Sequence, residues 1–130
     1  MKNKQQFLND LYAIENIQED SVNQVLIMRV KLNSSHEIFK GHFPGNPILP
    51  GVCTIQIVKE LLSHHLKKNL MLKNAGTIKY IAFISPESNP VIDIELRLKD
   101  TEDELLSCKA KVFHEATVFC SFRGEYLEAP

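Results

Sequence analysis

The chain has 130 residues, 44% of them hydrophobic and 24% charged, which suits one compact globular domain and leaves no room for a second core. Fifteen Lys and Arg residues against sixteen Asp and Glu give a net charge of -1 with no basic tract, so we expect no nucleic-acid partner. No apolar run approaches the ~20 residues of a membrane span and no export signal is recognisable, which predicts a cytoplasmic location.

The first elements along the chain are two apolar stretches on either side of a turn signal, and they predict a β-hairpin of residues 12–17 and 25–32. In the second stretch every other residue is apolar, which gives the strand one face for a core. Residues 33–50 hold three of the six prolines and two of the five glycines, so we expect irregular structure there.

Residues 52–68 contain neither glycine nor proline, and their apolar spacing predicts a helix. Steps of 100° per residue place apolar side chains on two sides of this helix: Ile55, Val58, Leu62 and Leu66 on one, and Ile57 and Leu61 on the other. A helix patterned this way is buried. Its narrow polar sector holds Gln56, Glu60, Ser63 and Lys67.

The rest of the chain predicts β-strands. Residues 77–84 are rich in β-branched and aromatic side chains, and three later segments alternate apolar and polar residues, namely 91–99, 106–112 and 116–122. The charged positions of the first of these, from Asp93 to Lys99, are typical of a solvated sheet face. We therefore predict a single α+β domain over residues 1–130, in which a curved antiparallel sheet wraps around a long central helix.

The three cysteines, Cys53, Cys108 and Cys120, are an odd number without the spacing of a metal site. They are typical of buried, reduced thiols in a cytosolic protein. Because the chain also lacks a glycine-rich phosphate loop, we expect neither a metal nor an organic cofactor.

The segment with the strongest chemical signal is residues 39–52, FKGHFPGNPILPGV. His42 lies in a loop stiffened by three prolines, and an imidazole is a base that titrates near neutral pH. Gly51 follows at the predicted start of the buried helix, where backbone N–H groups lack intrahelical partners and suit a developing oxyanion. The spacing alone is a moderate signal, because a lone histidine in such a loop is more often structural.

The string G-H-F-P-G-x-P-x-x-P-G-V over residues 41–52, followed by a long apolar helix, resembles the 3-hydroxyacyl-[acyl-carrier-protein] dehydratases. Every fixed position of that pattern is present. The resemblance implies a hotdog fold and the dehydration of a 3-hydroxyacyl thioester, carried on acyl carrier protein, to the trans-2-enoyl thioester. It further implies at least a homodimer in which His42 of one chain faces Gln56 of the other.

The resemblance also implies roles for individual residues. His42 corresponds to the family's catalytic histidine, Gly51 to a backbone donor at the helix start, and Ile48 to the carbonyl that orients the histidine. Ile48, Gly51 and Val52 are then the expected substrate-binding residues, and the acyl chain is expected in an apolar tunnel beside the helix.

Gln56 departs from the family pattern, because a Glu or Asp is usual at that position. Glutamine cannot exchange a proton at neutral pH, although its amide can hydrogen-bond. Either His42 performs both proton transfers while Gln56 holds the hydroxyl or a water, or the site binds thioesters without dehydrating them. Glu60, one turn further on, is ~6 Å away along the axis, and a solvated or salt-bridged carboxylate is the better interpretation.

Two other functions compete with dehydration. The first is a non-catalytic acyl-thioester binding subunit of a larger synthase, which the loss of the carboxylate favours. The second is a hotdog thioesterase, which we rank lowest because such enzymes usually place an acid differently and do not show the pattern of residues 41–52.

Overall fold

The structure is a computed structural model that describes residues 8, 10–41, 45 and 47–130. Within them, seven strands form one antiparallel sheet with the order β1-β2-β5-β6-β7-β3, and β4 pairs with β7 beside β3. The elements are β1 (Tyr12–Asp20), β2 (Val25–Leu32), α1 (Ile38–Gly41), α2 (Gly51–Leu66), β3 (Leu70–Ala75), β4 (Lys79–Tyr80), β5 (Val91–Asp100), β6 (Leu106–His114) and β7 (Thr117–Glu128).

The alternating strands bury the faces that the sequence predicts. On β2, Leu26, Met28 and Val30 are all almost fully buried, and β1 pairs with β2 as the predicted hairpin. The three predicted strands near the C-terminus correspond to β5, β6 and β7, which are consecutive in the sheet. Their inward side chains and those of α2 form one hydrophobic core, as expected of a hotdog fold.

Helix α2 begins one residue before the predicted start and ends two residues before the predicted end. Lys67 adopts a left-handed conformation with φ 57°, and its N–H donates to the Ser63 carbonyl, so the helix closes there. The buried stripe runs through Cys53, Thr54, Ile57, Val58, Leu61 and Leu62, while Ile55 and Leu66 are partly buried against the core. No helix of the described residues is long and apolar enough to cross a bilayer.

The expectation of wholly irregular structure in residues 33–50 was wrong, because α1 lies within that segment. The prolines and glycines begin only at position 41, so nothing in the sequence opposes a helical turn before it. His36 also caps the turn, since its Nδ1 accepts a hydrogen bond of 3.0 Å from the Ile38 N–H.

The prediction of one strand over residues 77–84 was also wrong. Only the two residues of β4 pair with β7, while β3, which the sequence analysis missed, occupies the neighbouring stretch of the same edge. After β4 the chain leaves the ladder, because the Ile81 and Ala82 N–H groups both donate to the single carbonyl of Phe119. Residues 81–83 therefore run along the sheet edge with exposed side chains.

Asp93 is buried on the outer face of the sheet, which corrects its interpretation as part of a solvated face. Arg29 Nε donates to Asp93 Oδ1 at 2.8 Å, and His114 Nδ1 lies 3.0 Å from Oδ2. The sheet register creates this cluster, since Arg29 on β2 is opposite Asp93 on β5 and β6 follows on the other side. Burial opposes ionisation, but the two hydrogen-bond partners prevail and hold the pKa of Asp93 below its ordinary value.

Candidate active site

The N-terminal turn of α2 presents backbone donors. Pro50 precedes the helix in an extended conformation, and its carbonyl accepts a 3.0 Å hydrogen bond from the Cys53 N–H. Helix geometry leaves the N–H groups of Gly51 and Val52 without intrahelical acceptors. Gly51 is half-buried and Val52 is 75% exposed, so this turn is accessible from the solvent.

An apolar cavity of about 640 Å³ opens onto this turn. Its walls come from the approach to α2 and from the edge segment after β4, and a 2.8 Å hydrogen bond from the Leu49 N–H to the Ile84 carbonyl joins the two walls. Phe119 and Cys120 of β7 close its far side. The cavity is large enough for an acyl chain and offers few polar groups besides the helix N-terminus.

Tyr80 lies directly over Gly51. A Cβ built at Gly51 would be 2.7 Å from Tyr80 Cζ and 2.8 Å from its hydroxyl oxygen. Both distances are shorter than the closest contacts that a Cβ atom makes with atoms to which it is not bonded, so any side chain at this position would collide with the ring. Burial and the neighbouring Cys120 raise the pKa of Tyr80, which therefore remains a neutral hydrogen-bond donor. Sequence reasoning missed this residue because it treated Tyr80 as one member of a strand, and no pattern in the sequence pairs it with Gly51.

Gln56 belongs to a polar network on α2. Its Nε2 donates to Glu60 Oε2 at 3.0 Å, and the Tyr12 hydroxyl of β1 donates to Glu60 Oε1 at 2.9 Å. Among the described residues Glu60 forms no salt bridge, which corrects the salt-bridged alternative, but it is half-exposed, which agrees with the solvated one. Tyr12 is 48 residues away in sequence, so no local spacing could reveal this contact.

All three cysteines are buried and free, as the sequence predicts. Burial, followed by the negative charge of Glu60, raises the pKa of the Cys53 thiol although it lies in the first turn of α2. A thiol with a raised pKa is a poor nucleophile at neutral pH. Among the described residues no group of three or more His, Cys, Asp or Glu side chains could hold a metal ion.

Of the four predicted site residues that the structure describes, three lie together and one lies apart. Ile48, Gly51 and Val52 line the cavity. Gln56 is outside its lining, ~7.5 Å further along the axis of α2 than Gly51. His42 lies outside the described residues, between the end of α1 and the approach to α2 in sequence.

Comparison with known proteins identifies the family. The family model described as ApeI-like, ApeI dehydratase, matches residues 16–122. The chain belongs to the ApeI-like dehydratase family. This match includes the segment 41–52, Gln56 and the walls of the cavity.

Curated relatives and solved structures agree with this assignment. Relatives named 3-hydroxyacyl-[acyl-carrier-protein] dehydratase FabZ include one from Lactobacillus helveticus, 25% identical over 83% of this chain and 76% of its own length. Another, from Zymomonas mobilis, is 33% identical over 79% of this chain and 60% of its own length.

Two solved structures share the hotdog fold. The dehydratase heterocomplex ApeI:P from Xenorhabdus doucetiae superposes with a TM-score of 0.69 at 15% identity, over 88% of this chain and 96% of that chain. A hypothetical thioesterase with coenzyme A from Streptococcus pneumoniae superposes with a TM-score of 0.63 at 11% identity, over 92% of this chain and 87% of that chain. At such identities the superpositions establish the fold alone.

Proposed function

We propose that the protein dehydrates a 3-hydroxyacyl thioester carried on acyl carrier protein and releases the trans-2-enoyl thioester. The observation that carries this proposal is the apolar cavity that opens onto the N-terminus of α2, where the segment 41–52 ends. It combines a surface for an acyl chain with backbone donors for a carbonyl. Membership in a dehydratase family supports the reaction class.

His42 is the proposed acid and base. Its imidazole takes the proton from C2 of the acyl chain, and the same imidazole then gives a proton to the hydroxyl on C3, which leaves as water. The electron pair of the C2–H bond becomes the C2–C3 double bond, so atoms and electrons balance without a redox partner. Imidazole is the side-chain group that most readily both accepts and donates a proton near neutral pH, which suits both steps.

The thioester carbonyl is proposed to bind at the Gly51 N–H, with the acyl chain in the cavity next to Val52. Negative charge builds on the carbonyl oxygen as C2 loses its proton, and a fixed donor stabilises that charge most in the transition state. One such donor typically contributes ~2.7–4 kcal/mol to lowering the barrier. The Ile48 carbonyl, at the end of the same loop, is proposed to orient the imidazole of His42.

Gln56 is proposed to hydrogen-bond the 3-hydroxyl without exchanging a proton with it. Loss of a positioned acid–base group typically costs ~10²–10⁴-fold in rate. We therefore expect slower dehydration than a carboxylate at this position would support. If Gln56 abolishes dehydration completely, the chain is an acyl-thioester binding subunit, the alternative that Gln56 favours.

The proposed assembly is a homodimer or a higher homo-oligomer, in which His42 of one protomer faces Gln56 of its partner. Support comes from the edge next to the cavity, where Val52, Ile81 and Phe83 are 75%, 61% and 76% exposed. A second copy that pairs along this edge would cover these side chains and the outer side of β4. ApeI:P is a heterocomplex, so a different chain is the competing partner.

One assay separates the three functions. The full chain is incubated with a 3-hydroxyacyl thioester on acyl carrier protein, and both conjugated enoyl thioester and free thiol are measured. Appearance of the conjugated product indicates a dehydratase, and release of free thiol indicates a thioesterase, the reaction class named for one structural neighbour. Neither product, together with saturable binding of the thioester, indicates a binding subunit.

A further inference from the structure

Three polar side chains connect the sheet to α2 at Gln56. The Tyr12 hydroxyl donates to Glu60 Oε1 at 2.9 Å, and the Gln56 Nε2 donates to Glu60 Oε2 at 3.0 Å. Tyr12 is buried, while Gln56 and Glu60 are half-buried. Burial and the Glu60 carboxylate raise the pKa of the Tyr12 phenol, so this end of the network stays a hydrogen-bond donor.

The chemistry of the two groups decides which end of the Gln56 amide meets Glu60. A carboxylate accepts hydrogen bonds, and the amide nitrogen is the end that donates them. A flipped amide would place Gln56 Oε1 against Glu60 Oε2, two acceptors with no proton between them. The amide oxygen therefore points away from Glu60, and it has no hydrogen-bond partner among the described residues.

We propose that Glu60 is a positioning residue, which holds the Gln56 amide so that its oxygen accepts a hydrogen bond from the 3-hydroxyl of the acyl ligand. Tyr12 holds Glu60 in turn. This inference rests on the proposed function, because that function places a 3-hydroxyl beside Gln56. A hydroxyl that donates its proton to Gln56 keeps its oxygen lone pairs available to the imidazole that protonates it.

In this arrangement the Gln56 amide binds the 3-hydroxyl of the ligand, so the affinity for a ligand should depend on that hydroxyl whether or not the ligand reacts. A ligand with a 3-hydroxyl should bind more tightly than the same ligand without it. That preference should depend on Glu60, although Glu60 itself does not contact the ligand. A merely structural role for Glu60 would change the affinity for both ligands equally.

The test is calorimetric binding of two pantetheine ligands, 3-hydroxyoctanoyl and octanoyl pantetheine amide, in which NH replaces the thioester sulfur to suppress reaction. We expect the wild-type chain to prefer the hydroxylated ligand by about two- to tenfold, the range of one net hydrogen bond. Glu60→Gln should remove this preference, because two amides pair in either orientation, and should leave octanoyl binding unchanged. Tyr12→Phe should weaken the preference in the same direction.

Glu125→Gln is the matched control, since the Glu125 carboxylate also accepts a hydrogen bond from an amide, that of Asn74, at 3.1 Å on the sheet surface. It should retain the full preference, and thermal unfolding checks that every variant is folded. Full preference in a folded Glu60→Gln, equal weakening of both ligands, or no preference in the wild type each overturns the inference. Conjugated product from the wild-type chain in the turnover assay would still uphold the proposed function in these cases.

Discussion

Tyr80 lies so close to Gly51 that a Cβ at Gly51 would be 2.7 Å from the Tyr80 Cζ. The glycine thus allows an aromatic ring from the sheet edge to rest on the first turn of α2, where the thioester carbonyl is proposed to bind. Tyr80 is 54% exposed, so its ring has room to move outwards. Any substitution at Gly51 therefore displaces Tyr80, and a proline also removes the backbone donor.

The first prediction separates these effects by comparing Gly51→Pro with Gly51→Ala. Both substitutions add a Cβ that displaces Tyr80, but only proline removes the N–H. Proline is tolerated in the first turn of a helix, and Pro50 already has the extended ψ of 142° that a following proline needs. We expect Gly51→Pro to turn over ~10²–10³-fold more slowly than Gly51→Ala.

Steady-state rates of the two folded variants check this, with circular dichroism to verify α2. Equal rates in the two variants would mean that the Gly51 N–H does not receive the carbonyl. Restoration of the wild-type rate in Gly51→Ala by Tyr80→Ser would assign the alanine effect to the ring.

The second prediction concerns Gln56→Glu, which introduces beside Glu60 the carboxylate that the resemblance implies for this position. The two side chains now meet at 3.0 Å, so two carboxyl groups there would share a proton and the pKa of one would rise. We expect faster dehydration, with a rate that declines as pH rises and the shared proton is lost. The measurement is kcat against pH for Gln56→Glu and for Gln56→Glu/Glu60→Gln.

In the double variant the new carboxylate accepts a hydrogen bond from the amide introduced at position 60 instead of sharing a proton, so the decline should move to lower pH. A large loss of activity in a folded Gln56→Glu would contradict the account, because it would show that the amide itself is required.

Alternation of apolar residues was sufficient to predict β2, β5 and β6, since each buries every second side chain. It failed for β3, whose six residues bury only Leu70 and partly bury Leu72, so the pattern of a half-buried strand is absent. It also failed at Asp93, where only the pairing of β2, β5 and β6 brings Arg29 and His114 to the carboxylate.

In the candidate site, too, local sequence predicted some features, while others depend on how the strands pair. The continuous segment 41–52 predicted that Ile48, Gly51 and Val52 act together, and all three line one cavity. The contacts of Gly51 with Tyr80 and of Glu60 with Tyr12 join elements distant in sequence. Such contacts depend on strand order and register, which local spacing does not contain.

The third prediction is acid sensitivity from Asp93. Its pKa is lowered in the folded state, so it stabilises the fold at pH values above the ordinary carboxyl pKa of ~3.9, and this contribution declines as pH falls below it. At neutral pH we expect Asp93→Asn to be roughly 1–3 kcal/mol less stable than the wild type. On acidification the stability of the wild type should fall more than that of Asp93→Asn, because the variant has no carboxylate to protonate at this position.

Denaturant unfolding at neutral and acidic pH measures the difference, with the exposed loop carboxylate Glu87→Gln as the control. Equal acid sensitivity of Asp93→Asn and the wild type would show that the contacts with Arg29 and His114 do not contribute to stability.

The fourth prediction concerns assembly. Phe83→Lys places a charge on the exposed apolar edge and should convert a dimer into a monomer, because the edge can no longer be buried against a second copy. Val22→Lys, in the turn between β1 and β2, is the control, since Val22 is 89% exposed away from that edge. Light scattering at ~10 µM gives the masses, and a monomeric wild-type chain would contradict both the dimer and the shared site.

The most direct test of the account is the rate at which the wild-type chain and His42→Ala convert a 3-hydroxyacyl thioester on acyl carrier protein into the conjugated enoyl thioester. Because Pro44, Pro47 and Pro50 restrict their own φ angles whatever residue is at position 42, we expect His42→Ala to remain folded. We predict conjugated product from the wild type and none above background from His42→Ala. A near wild-type rate in folded His42→Ala, or no conjugated product from the wild type, would contradict it.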